Sequence, residues 1–153
     1  RQSPSSIPKA WFLTDPTRIA DPATITRALP KGWGVIYRHF GEADRGAIAE
    51  KLSYICRENG VTLLIAADPK LARSVGADGV HWPNKYLGEG AHKSLTFKYV
   101  TSSAHSHGEL CRAVKTGMDA VFYSVVFASD SPSAPTHIAP HRFRQIPTRS
   151  PIP

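Results

Sequence analysis

Short apolar runs alternate along this chain with amphipathic or polar stretches, and the alternation predicts strands and helices in turn. Ala10-Trp11-Phe12-Leu13-Thr14, closed by Asp15-Pro16, suits a buried strand, and Gly34-Val35-Ile36-Tyr37-Arg38 suits a second. From Asp44 to Asn59 the apolar residues Ile48, Leu52, Ile55 and Cys56 recur at helical spacing, with Gly60 at the stop position. Val61-Thr62-Leu63-Leu64-Ile65-Ala66 is almost continuously apolar, as a strand covered on both faces requires. Asp68-Pro69 then supplies an N-cap and a proline at the first helical position, predicting a short helix to Val75. Gly76-Ala77-Asp78-Gly79 turns the chain into Val80-His81-Trp82, and Phe97 to Ser102 predicts a further strand. Ser106 and Glu109 have capping-box spacing and open a helix with Leu110, Ala113 and Val114 inward, ended by Gly117. Asp119 to Phe127 is the sixth apolar run.

Helices lie between enough of these six runs to imply right-handed strand–helix–strand units on a parallel sheet. Such units build either an open doubly wound sheet or the start of an eight-unit barrel, which takes roughly 200 residues or more, so the length of 153 residues by itself favours the open sheet. The dinucleotide fingerprint Gly-x-Gly-x-x-Gly and the phosphate loop Gly-x-x-x-x-Gly-Lys are both missing.

Length and a hydrophobic content of 41% allow one domain with a core, while the absence of collagen periodicity, of heptads and of an apolar run long enough for a membrane span excludes fibre, coiled coil and membrane span. A formal charge of +7 favours anionic partners: phosphates, nucleic acid or acidic lipid. Cys56 and Cys111, both in helical stretches without a framework spacing, fit a reduced cytoplasmic protein with inert thiols. Residues 1–9 and 147–153, rich in Pro and Ser, read as tails around a domain of residues 10–146, with no targeting segment.

Two segments are more specific. Leu63 to Ala72 with Gly76-Ala77-Asp78-Gly79-Val80-His81, and Ser103-Ala104-His105-Ser106-His107-Gly108-Glu109 with Asp119 to Phe127, resemble the thiamine phosphate synthase and thiazole tautomerase family, as does Phe12-Leu13-Thr14-Asp15. The resemblance implies an α/β fold of TIM type, an incomplete (β/α) barrel with about six of eight strands in this chain, truncated before strands seven and eight. It implies a transferase of thiamine biosynthesis that joins, or formerly joined, hydroxymethylpyrimidine diphosphate to thiazole phosphate with release of pyrophosphate. Pyrophosphate departure leaves a pyrimidine-stabilised cation, so such a site needs Mg²⁺, Arg and Lys against the growing negative charge, with carboxylates to hold the metal. The implied partners are the two phosphorylated rings, and exposed strand edges add a homo-oligomer as an expectation.

Carried over residue by residue, the resemblance puts Arg38 at the exit of the second strand facing the diphosphate, with His39 beside it as a further donor. It puts Ser103, His81 and His105 at the reacting pyrimidine, and Ser129 and Ser131 on the thiazole phosphate. The pattern departs elsewhere: Ile36 stands for a glutamine, Phe40 and Pro132 for lysines, and Ala67 and Tyr86 for the two carboxylates that hold Mg²⁺. No metal ligand is therefore expected, and Asp68 is expected to cap a helix. Val125 stands where the tautomerase has a histidine, which disfavours that proton transfer. The expected function is thus synthase-like with weakened catalysis. The alternatives are a non-catalytic binder of a phosphorylated heterocycle and a basic nucleic-acid-binding protein using Arg142, Arg144 and Arg149.

Overall fold

The computed structural model describes residues 7–89, 96–124 and 126. The chain divides into two compact units, one running to His81 and including Thr96–Tyr99, the other built from Trp82 onward and from Val100 onward.

The first unit opens with β1 (Trp11–Leu13), α1 (Pro22–Ala28), β2 (Gly34–Tyr37) and α2 (Arg45–Asn59). It continues with β3 (Thr62–Ala66), α3 (Pro69–Ser74) and β4 (Gly79–Trp82), which ends at the unit boundary. Every pairing is parallel: β1 lies on β2, β2 on β3 and β3 on β4, with Ile36 opposite Leu64 and Ala66 opposite His81. Both faces of β2 are buried, as are Leu63 to Ala66 of β3. This explains why their sequence is apolar without alternation. α2 presses Ala49, Leu52, Ile55 and Cys56 inward, and Gly60 ends it in the left-handed conformation that a side chain with a Cβ disfavours.

The second unit contains a short 3-10 helix (Asn84–Glu89), most of β5 (Tyr99–Ala104), α4 (His107–Lys115) and β6 (Ala120–Tyr123). β5 and β6 are parallel, with Ser103 opposite Phe122. One closing device appears in each unit. The Asp78 N–H donates to Leu63 O at 2.9 Å while its carboxylate accepts from the Leu63 N–H at 2.9 Å. The Asp119 N–H donates to Val100 O at 2.8 Å while its carboxylate accepts from the Val100 N–H at 2.7 Å. Each Gly-x-Asp turn thereby clamps the start of the strand that begins its strand–helix–strand unit.

Some boundaries differ from the expectation. β5 begins at Tyr99 instead of Phe97, whose ring lies under the Arg73 guanidinium at 5.3 Å, and runs on to Ala104 because Ser103 and Ala104 pair with Phe122 and Tyr123. α1 has no apolar periodicity to announce it; its buried side is only Pro22, Ala23 and Thr26, and its start is fixed by Asp21, which accepts from the Ala23 N–H at 3.0 Å.

Candidate functional site

Residues that leave the carboxyl ends of the strands are the candidates in a parallel α/β unit. In the first unit, Thr14 follows β1 and is fully buried. Its hydroxyl accepts the Arg38 N–H at 2.9 Å, and its carbonyl accepts the Arg38 Nε–H at 2.9 Å. The side chain of Arg38 is therefore aimed through Nε, and among the described residues its two terminal nitrogens make no hydrogen bond. Burial holds its pKa below the usual guanidinium value and the Asp15 carboxylate opposes that; an arginine stays charged through such a shift. His81, near the end of β4, is 3% exposed. Burial first, and the Arg38 charge second, push its imidazole down to about 3, so it is neutral at physiological pH.

His39 is buried, with its ring 4.9 Å from that of Tyr37. Burial keeps its pKa below the ordinary value, against the pull of Glu42, Asp15 and Asp44. Among the described residues its Nε2 and the Tyr37 hydroxyl are buried without hydrogen-bond partners.

Arg45, in the first turn of α2, crosses to the exit of β3. Its Nη1 donates to Asp68 Oδ2 at 3.1 Å and its Nη2 to the carbonyl of Ala66 at 2.7 Å. The Phe40 ring lies 5.6 Å from its guanidinium carbon, close enough for a cation–π contact. Asp68 Oδ1 accepts the Leu71 N–H at 2.9 Å, so the expected capping role holds, and the ion pair takes the other oxygen.

In the second unit, Ser103 lies on β5 and its hydroxyl accepts the Asn84 N–H at 3.3 Å. His105 follows the strand: its N–H donates to Glu109 Oε2 at 2.6 Å, and its Nδ1 lies 2.8 Å from the carbonyl of Ser124. A carbonyl can only accept, so Nδ1 carries the proton and a neutral His105 presents Nε2 as acceptor. Ser106 caps α4 by accepting the Glu109 N–H at 3.3 Å. Within the first unit the fold thus brings Arg38 and His81 together and turns His39 toward Tyr37. Ser103 and His105 are positioned in the second. Val125, Ser129, Ser131, Pro132, Arg142, Arg144 and Arg149 lie outside the described residues.

A sequence model described as thiamine monophosphate synthase matches residues 10–153. The chain belongs to this family. The thiamine-phosphate synthase of Xylella fastidiosa (strain 9a5c) is 25% identical over 148 residues, which cover 92% of this chain and 63% of the relative. That of Geobacillus kaustophilus (strain HTA426) is 30% identical over 90 residues, 58% of this chain and 41% of the relative. The chain therefore spans less than two thirds of the length of these curated relatives. The solved thiamine phosphate pyrophosphorylase from Pyrococcus furiosus superposes with a TM-score of 0.75 at 22% identity, over 95% of this chain and 72% of that one. The fold is accordingly α/β of the TIM type, an incomplete barrel with six parallel strands among the described residues.

The thiamine monophosphate synthase family implies Mg²⁺, and the donors among the described residues do not fit it. Mg²⁺ wants free carboxylate oxygens in octahedral array. At the exit of β3 stand Ala66, Ala67 and Asp68, and both oxygens of Asp68 are already engaged. Among the described residues no three His, Cys, Asp or Glu side chains converge. Sequence reasoning missed Arg45. The available signal was its place: a cation in the first turn of a helix opposes the macrodipole and calls for a compensating partner.

Proposed function

We propose that this chain is a synthase-like member of its family that binds the phosphorylated pyrimidine and thiazole of thiamine assembly, with the bond-breaking step weakened. The observation that carries the reading is the split at the strand exits: Arg38 is aimed by Thr14 through its Nε, while Asp68, the carboxylate at the exit of β3, is spent on a helix cap and an ion pair.

In this reading the terminal nitrogens of Arg38 hold diphosphate oxygens, which suit a planar guanidinium. His81, neutral in its buried place, offers a hydrogen bond rather than a charge. Ser103 and His105 contact the pyrimidine, His105 through Nε2, and Ser129 and Ser131 hold the thiazole phosphate. The family reaction breaks the carbon–oxygen bond to pyrophosphate, which leaves with the electron pair, and the thiazole nitrogen then donates its pair to the pyrimidine carbon. The slow step is the first, because charge grows on the departing group. Phe40 and Pro132, which stand for lysines in the resemblance, remove cations from that group's surroundings.

The test is to incubate the chain with hydroxymethylpyrimidine diphosphate and thiazole phosphate in the presence of Mg²⁺ and to follow thiamine phosphate, alongside thermal-shift titrations with each ligand. The expected result is a ligand-induced rise in Tm, lost in Arg38→Gln, with turnover far below that of an intact synthase. Turnover at the level of an intact synthase refutes the weakened-catalysis part, and no thermal shift with either ligand refutes binding.

A further inference from the structure

We propose that the Arg45 guanidinium stands in for the divalent cation at the exit of β3, so that this chain binds a phosphoryl or diphosphoryl group without metal. The inference rests on the binding function proposed above and names how the charge is supplied.

Three features of the first unit carry it. Arg45 is held: Asp68, the Ala66 carbonyl and the Phe40 ring fix it from separate directions, and its side chain is 18% exposed. A metal ion at the Asp68 Oδ2 oxygen would meet that guanidinium, whose Nη1 lies 3.1 Å from it. Next, it lies beside the position where the resemblance puts a metal-holding carboxylate, since it contacts residues 66 and 68 on either side of Ala67.

Finally, the group is not saturated. A guanidinium has five N–H donors, two are used in the contacts above, and the Nε–H is buried with no partner among the described residues. A buried charged donor without an acceptor is unfavourable, and phosphate oxygens are acceptors whose geometry a guanidinium fork matches. Glu42 and Asp44 also lie near this region, where they and Arg45 act on the Tyr37 hydroxyl with opposite signs, so directed N–H groups rather than net charge must select the anion.

The experiment is calorimetric titration of the full chain with inorganic pyrophosphate, once with EDTA and once with excess Mg²⁺, for wild type, Arg45→Gln and Arg38→Gln. Equal or tighter binding in EDTA is expected, with a Kd about 10- to 100-fold weaker in Arg45→Gln, the loss that a charge-assisted hydrogen bond to phosphate gives. Binding that appears only with Mg²⁺, or that is unchanged in Arg45→Gln but lost in Arg38→Gln, overturns the inference and leaves the proposed function standing. No binding of pyrophosphate in either buffer overturns the inference, while the thermal-shift titrations with the two phosphorylated rings decide the proposed function separately. The wild-type comparison needs no variant and by itself overturns the inference where binding requires Mg²⁺. Should Arg45→Gln unfold, Arg45→Lys, which keeps the charge and loses the fork, assigns the binding: weaker pyrophosphate binding in EDTA is expected, and unchanged binding overturns the inference.

Discussion

The neutral imidazole at the end of β4 makes the stability of this chain depend on pH in a way that can be assigned to one residue. His81 is 3% exposed and its pKa is pushed down to about 3 in the folded chain, from an ordinary value of 6.5. Below pH 6.5 the unfolded chain takes up a proton at this residue that the folded chain refuses. Stability is therefore complete above pH 6.5 and is lost progressively as the pH falls toward 3. The slope is about 1.4 kcal/mol per pH unit, so moving from about pH 7.5 to about pH 5 removes about 2 kcal/mol through His81 alone. Asp15 and Asp21, held low chiefly by the Thr17 and Thr24 hydroxyls, change protonation only below 3.8 and stay out of this window. Urea unfolding of wild type and His81→Gln at the two pH values isolates the effect, because other histidines cancel in the comparison. Wild type should lose about 2 kcal/mol more than the variant over that interval. Equal losses in both proteins, or an imidazole NMR titration of His81 in the folded chain centred near 6.5, would refute the burial argument.

Three more outcomes follow from the packing. Cys56 is 2% exposed and burial pushes its thiol up to about 12, so a thiol reagent at mildly alkaline pH should label Cys111 alone in the folded chain and both residues in urea. A Cβ at Gly79 would overlap the Tyr99 carbonyl, whereas one at Gly46 in α2 meets open space. Urea midpoints should show Gly79→Ala destabilising by about 3 kcal/mol and Gly46→Ala stabilising by up to about 1 kcal/mol. Asp78→Ala and Asp119→Ala each strand a strand-initiating N–H, at Leu63 and Val100, and each should cost about 1 to 3 kcal/mol in the same assay, with a comparable size if the two clamps are equivalent.

The parts of the fold legible in the sequence were those whose signal is local. The Asp68-Pro69 start, the Gly60 stop and the doubly buried run into Ala66 each follow from one residue's backbone or hydrogen-bonding preference. α1 was illegible as an apolar pattern, although its Asp21-Pro22 start repeats the Asp68-Pro69 signature, because a seven-residue helix with three small or polar residues inward has little amphipathicity. The length of the chain pointed toward an open sheet; only the ordered motifs from Phe12 to Phe127 pointed to the barrel. In the site, Arg38 could be placed by its strand end. Its aim through Thr14, and the crossing of Arg45 from α2 to β3, join residues 24 and 21 positions apart and are set by tertiary structure alone.

Asp68 shows why the distinction between ligand and structural acid has to be made atom by atom. One oxygen caps α3 through the Leu71 N–H and the other pairs with Arg45, so the two jobs can be separated by substitution. Asp68→Asn keeps an acceptor suited to an N-cap and removes the charge, and it should cost only about 0.5 to 1 kcal/mol, the worth of a partly exposed pair. Asp68→Ala removes both functions and should cost about 1 kcal/mol more. Denaturant midpoints of the two variants measure the difference, and a cost for Asn equal to that for Ala would mean that the ion pair, not the cap, carries the stability. The anion-binding consequence runs the other way. Removing the carboxylate leaves the Arg45 guanidinium without its counter-charge, so Asp68→Asn should bind pyrophosphate more tightly in EDTA even as it loses stability. A carboxylate serving as a metal ligand would give the reverse: unchanged stability and weaker binding in Mg²⁺.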